Sequence, residues 1–237
     1  MKAKPLSTHA RAYITGIGLL ALLTSLVLLT QHLPSASLVD FLLVTTLGVM
    51  AHAFPIKAPR HQSYQATLPF IVVAAATFSV SQLIAFILLI HVGEQIRVRR
   101  RWYIQTFNVF DYFLAAAIAC VLYHRAAALL PVSMLGQMEA AVTAGSALVI
   151  FNRVFLAGIL WLARNLSPAR SGLFRPELLA VDLIITWIAG PMLVLDLLGG
   201  SWTLLVAAGP LFLFRPAFAS ILADTEKAVA PRRAQAA

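Results

Sequence analysis

Charge is what this chain has least of. Only 11% of its 237 residues are Asp, Glu, Lys or Arg, while 60% are apolar. A soluble domain carries about 25% charged residues to cover its surface, so a water-soluble fold is excluded. Acidic groups are scarcest, with 9 against 18 basic ones, a net charge of +9. The single cysteine, Cys120, lies in an apolar run, which removes any disulfide framework or thiolate metal cluster. Missing too are a Gly-rich phosphate loop, a His-Glu-x-x-His helix, a Gly-x-Ser-x-Gly elbow and any carboxylate and histidine cluster at metal spacing. Catalysis, a cofactor and a metal are therefore not expected. The histidines at 9, 32, 52, 61, 91 and 124 are scattered, and the expected place for them is the membrane interface near helix ends.

What remains is a succession of apolar runs. A bilayer crossing takes roughly 20 apolar residues, which leaves room for about eight crossings and no separate soluble catalytic domain. The mean hydropathy of +0.86 agrees. The first run, Ala12 to about Leu29, follows Lys2, Lys4 and Arg11. It exceeds the 7 to 15 residues of a cleaved signal, so an uncleaved helix is expected. The second, Leu38 to Phe54, stops at Pro55. Later runs are Tyr103 to about His124, Ala140 to Ala163, Glu177 to about Leu197, and Trp202 to about Phe214. Residues 125–139 are expected to form an outer loop, and Leu198-Gly199-Gly200-Ser201 a tight outer turn.

Ala66 to Ile96 is the decisive stretch. As one helix it would set Arg97, Arg99, Arg100 and Arg101 on the side opposite Lys57 and Arg60, against the positive-inside bias. Broken near Ser79-Val80-Ser81, it returns all six to one side. The expected fold is thus an all-α polytopic bundle of about eight crossings, or six plus a short-helix hairpin at 66–96, with both termini cytoplasmic. Of the 18 basic residues, only Arg125 then falls outside and Arg153 mid-membrane. The basic excess serves topology, and no nucleic-acid partner is expected. Residues 1–222 form one domain, and 223–237 a short cytoplasmic tail expected to be disordered.

Ala115-Ala116-Ala117 with Ala119, and Ala141 with Gly145, offer small faces for close helix approach. Gly190-Pro191 and Gly209-Pro210 mark expected kinks. Arg97, Arg99, Arg100, Arg101 and Trp102 form a topology anchor able to meet lipid headgroups.

Ionisable groups in hydrocarbon cost several kcal/mol unless paired or hydrated. Arg153 lies about 16 Å from the inner end of its helix, so it requires a partner. Asp111, about 12 Å inside the preceding helix, matches in depth; Asp182 and Glu94 are alternatives. With Asn108 and Asn152 these residues define either a polar ligand pocket or a structural ion pair that fixes helix register.

One set of features resembles a known type of membrane region: Phe54-Pro55-Ile56-Lys57-Ala58-Pro59, the small-residue hairpin, Arg99-Arg100-Arg101-Trp102, Phe107-Asn108, Phe174-Arg175-Pro176-Glu177 and Pro210-Leu211-Phe212-Leu213-Phe214-Arg215. It is similar, over residues 12–222, to the N-terminal multispanning sensor region of bacterial cyclic-di-GMP signalling proteins, the diguanylate cyclases and HD-type phosphodiesterases. The resemblance implies a stimulus sensor in the bacterial inner membrane, coupled through its last helix to a cytoplasmic enzyme. No Gly-Gly-Asp/Glu-Glu-Phe segment or His-Asp motif follows, so the expectation is a stand-alone module acting through a protein partner, or a truncated chain. Three functions are open: a sensory, ligand-binding module; a small-molecule transporter or its substrate-binding subunit; and a structural subunit of a membrane complex.

Overall fold

The computed structural model describes residues 6–54, 56–57, 63–64 and 66–213. The expectations for Pro55, Arg60, Phe214, Arg215 and the tail lie outside the described residues. The described residues form ten helices: α1 Thr8–Leu29, α2 Leu38–Ala53, α3 Leu68–Thr77, α4 Val80–Val98, α5 Trp102–Leu129, α6 Met134–Arg164, α7 Pro168–Ser171, α8 Pro176–Trp187, α9 Ala189–Gly199 and α10 Thr203–Leu213. The strands among the described residues are a two-residue antiparallel ladder, β1 Ile56–Lys57 with β2 Ser63–Tyr64, in the connection between α2 and α3.

Among the described residues, five segments are long and apolar enough to cross a membrane: α1, α4, α5, α6, and α8 with α9 taken together. Helices α2, α3 and α10 are apolar but shorter. Leu19, Leu22, Leu23, Leu26 and Val27 of α1 all stand exposed, an arrangement suited to lipid and costly in water. The molecule is a membrane protein on these grounds.

Serine caps define several helix starts. Ser7, Ser37, Ser79 and Ser133 each accept the backbone N–H three residues on, satisfying a donor that the helix itself leaves open. At Ser79 the cap is reciprocal, because Gln82 Oε1 accepts from the Ser79 backbone N–H at 3.0 Å. That capping box breaks the stretch 66–96 into α3 and α4. The chain doubles back there: Thr67, ahead of α3, and His91, late in α4, both meet His52.

Other contacts fix which helix ends lie together. Gln82 binds the backbone of Ala36 at 2.8 and 3.1 Å, so α2 and α4 run parallel. Ser201 donates to Asp40 at 2.5 Å, and Tyr123 donates to Gln137. Ser7 donates to the Leu162 carbonyl at 3.0 Å, which sets the start of α1 beside the end of α6. One end of the bundle therefore holds the connections around residues 31–37, 78–79, 130–133 and 200–202. The other, the arginine end, holds Arg11, Arg97, Arg99, Arg100, Arg101, Arg164, Arg170 and Arg175.

Helix α3 is the innermost element. Every residue from Leu68 to Ala76 is buried, as befits a helix apolar on all faces, and α2, α5, α6, α8 and α9 surround it. At 1.5 Å per residue it extends about 15 Å, half of a bilayer's hydrocarbon core. Ala115, Ala116, Ala117, Ala119 and Ala141 are all buried in the same core, and Gly145 abuts Thr186.

The expected outer loop at 125–139 is corrected. Ala126-Ala127-Ala128 are strong helix formers and extend α5 to Leu129, and the Ser133 cap starts α6 early, leaving only residues 130–133 between them. The break between α8 and α9 falls at Ile188, where the Pro191 ring opposes the carbonyl four residues back. Pro210, by contrast, lies within α10.

Candidate functional site

Two polar clusters lie inside this apolar bundle. The first forms where α2 and α4 approach most closely. A Cβ on Gly48 would stand 2.6 Å from Phe86 Cε2, and one on Gly93 2.6 Å from Val49 Cγ1. With a glycine on each helix at the crossing, the backbones come near enough for short side chains to meet. His91 and Glu94, three residues apart, share the face of α4 that looks at α2, and His52 meets them from the penultimate position of α2.

All three are 1% exposed. His52 Nε2 lies 3.3 Å from His91 Nδ1 and 3.5 Å from Glu94 Oε2; His91 Nδ1 lies 3.7 Å from the same oxygen. The other nitrogen of His52, Nδ1, is 3.2 Å from Thr67 Oγ1. The Tyr112 ring stands edge-on to both imidazoles, with centroids 5.4 and 5.1 Å away. Gln105 on α5 donates to the His91 carbonyl at 2.7 Å. His91 Nε2 and Glu94 Oε2 are buried without a hydrogen-bond partner among the described residues.

Arg100 closes the cluster. Its Nε and Nη2 lie 3.0 and 2.9 Å from Glu94 Oε1, a two-pronged contact with a side chain that is 33% exposed. The contact exists because Arg99 takes a left-handed conformation, φ 52, which ends α4 and turns the chain back; Gln95 Nε2 holds the Arg100 carbonyl at 2.9 Å. Arg97 also turns inward: it donates to the Ala53 carbonyl and stacks 3.9 Å over the Phe54 ring. Two members of the expected headgroup anchor, Arg97 and Arg100, thus also hold the ends of α2 and α4 together. Trp102 is 76% exposed, and Arg101 donates to Tyr103 at 3.1 Å.

The second cluster belongs to α5, α6 and α8. Arg153 Nη2 donates to Asp182 Oδ2 at 2.5 Å and to the Leu178 carbonyl at 3.0 Å. Asn152 Nδ2 donates to Asp111 Oδ2 at 3.1 Å. The expected Arg153–Asp111 pair is therefore corrected. The depths on α5 and α6 do match, but adjacent residues of a helix point about 100° apart, so Asn152 takes Asp111 and Arg153 turns to α8. Glu94 is no partner of Arg153 either; it belongs to the first cluster. Asn108, half-buried one turn before Asp111, makes no side-chain hydrogen bond among the described residues.

Sequence reasoning missed His52 and His91. The one local signal was His91-x-x-Glu94, two ligand-type side chains on one helix face; His52, 39 residues earlier, joins them only through the packing of α2 on α4. The donor atoms of His52, His91 and Glu94 lie within 4.8 Å of one another, and among the described residues these are the side chains grouped closely enough to hold a metal ion. No family of known proteins, no curated protein and no solved structure matches the chain.

Proposed function

We propose that this chain is a sensory, ligand-binding module of a bacterial cytoplasmic membrane, crossing about eight times when α2, α3 and α10 are counted, with the arginine end in the cytoplasm. The ligand site is the His52–His91–Glu94 cluster. The observation that carries the reading is the burial of a carboxylate and two imidazoles together at the α2–α4 contact of a largely apolar bundle, where polar groups are costly and mark function. Packing alone would be served by apolar residues in their place.

The same helix that presents His52 supplies a route outward. About 18 Å back along α2, Asp40 binds Ser201, which leads into α10, and α10 packs on α9 and touches α2. A ligand that favours one packing of α2 against α4 shifts the population of α10 positions, and a cytoplasmic protein partner reads that shift.

Hydrogen–deuterium exchange on the full chain in lipid nanodiscs tests the coupling. Glu94→Gln removes the charge at the centre, and altered exchange is expected to reach Thr203–Leu213. Changes confined to α2, α4 and α5 overturn the sensory reading, and net solute flux in reconstituted vesicles would replace it with a transporter.

A further inference from the structure

We infer that His52 Nε2, His91 Nδ1 and Glu94 Oε2 form a binding site for a divalent transition metal of the zinc class. The inference rests on the ligand-binding reading above in taking this cluster as the ligand site, and it names the ligand's chemistry.

The geometry argues for it first. The three donor atoms form a triangle with edges of 3.3, 3.5 and 3.7 Å. A point equidistant from the corners lies about 2.0 Å from each, which is the bond length of Zn–N and Zn–O ligation. The edge of a tetrahedron with such bonds is about 3.3–3.5 Å. The side chains therefore already stand at ligand spacing.

The His52 tautomer and the shell around Glu94 agree. Metal-ligating histidines commonly donate their second ring N–H to a fixed partner, which orients the ring. His52 does so when Nδ1–H donates to Thr67 Oγ1, leaving the Nε2 lone pair facing His91 and Glu94. Arg100 grips the far oxygen of Glu94 and holds Oε2 toward the imidazoles. Without a cation, the two facing nitrogens must share one proton, and Glu94 Oε2 keeps no hydrogen bond among the described residues. A cation gives all three lone pairs one common partner.

The donor set selects the ion. Magnesium and calcium take oxygen ligands, whereas imidazole with one carboxylate suits zinc, iron(II), cobalt(II) and nickel(II). Three protein ligands leave a coordination position open. Arg100, a third exposed at the arginine end, is the member of the cluster most open to solvent.

The test uses the untagged full chain in detergent, stripped with EDTA, equilibrated with Zn²⁺ or Co²⁺ and cleared of free ion. Mass spectrometry of the metal is expected to find one zinc per chain, and the cobalt form to show the intense visible bands of four-coordinate cobalt. Glu94→Gln and His91→Ala are expected to lower retention at least about tenfold, while His124→Ala leaves it unchanged. Should His91→Ala not fold, His91→Gln and the cobalt spectrum of the unmutated chain carry the test. Retention below about a tenth of an ion per chain, or full retention in Glu94→Gln and the His91 variant, overturns the site. Retention in a chain whose α10 exchange is insensitive to Glu94 leaves the metal site standing and removes only the sensory reading.

Discussion

Arg153 and its neighbour Asn152 reach different helices from α6: Arg153 meets Asp182 on α8 at 2.5 Å, and Asn152 meets Asp111 on α5 at 3.1 Å. Two consecutive residues thereby tie three helices. Removing one member of a buried pair strands the other charge and costs about 3–5 kcal/mol, whereas replacing both by apolar groups is neutral or stabilising. Arg153→Met alone is expected to destabilise the bundle by that amount, and Arg153→Met with Asp182→Leu to recover it. Reversible unfolding in mixed micelles measures both; a single variant as stable as the double shows that the pair contributes nothing to register.

Thr67→Val isolates the shell around His52. It deletes the hydroxyl 3.2 Å from Nδ1 with little change of shape, so about 1–3 kcal/mol of stability is lost through an unpartnered buried N–H. If the cluster holds zinc, the freed ring also lowers affinity about 10- to 100-fold. Competition with a chromophoric chelator reads the affinity. An unchanged value shows that Thr67 does not orient the imidazole.

Gly48→Ala probes the approach of α2 to α4. The new methyl meets Phe86, a ring with no exposed surface, and overpacking of this kind costs about 1–3 kcal/mol. Because the shift separates His52 from His91, zinc retention is expected to fall together with stability. Loss of stability with full retention separates the crossing from the cluster.

Sidedness is open to labelling. Cys120 is buried, so single cysteines at Ser81, Val132, Arg99 and Arg170 in a Cys120→Ala background report access alone. A membrane-impermeant maleimide is expected to label Ser81→Cys and Val132→Cys from one face of oriented vesicles, and Arg99→Cys and Arg170→Cys from the other. Labelling of Ser81→Cys and Arg99→Cys from the same face contradicts the turn at Phe78–Ser79.

The local parts of this fold were legible because they are written in adjacent residues. Ser79 with Gln82 spells a helix start inside an apolar run, and that turn lies where basic residues required one. Pro191 likewise marked the break it makes. The limits were the long ends of α5 and α6, where alanines outlast the expected span, and the pairing of side chains across helices. Matching depth correctly brought Asp111 to the level of α6 but could not choose between two neighbours pointing 100° apart. His52 and His91 were further out of reach, since nothing within 39 residues of chain encodes which faces of two parallel helices will touch. Glycines at 48 and 93 carry that information, and they gain meaning only as a pair.

Helix α3 imposes an order on assembly. Ten residues cannot hold a place in lipid unaided, and the backbone ends of so short a segment need protein around them. The walls that receive α3 include α5, α6, α8 and α9, all encoded after it. Its final seating must therefore wait until the second half of the chain has been made and inserted, and only then does Thr67 come to rest beside His52. The heart of the molecule is the part completed last, so lesions in the helices that close around α3 will be felt at the His52 cluster.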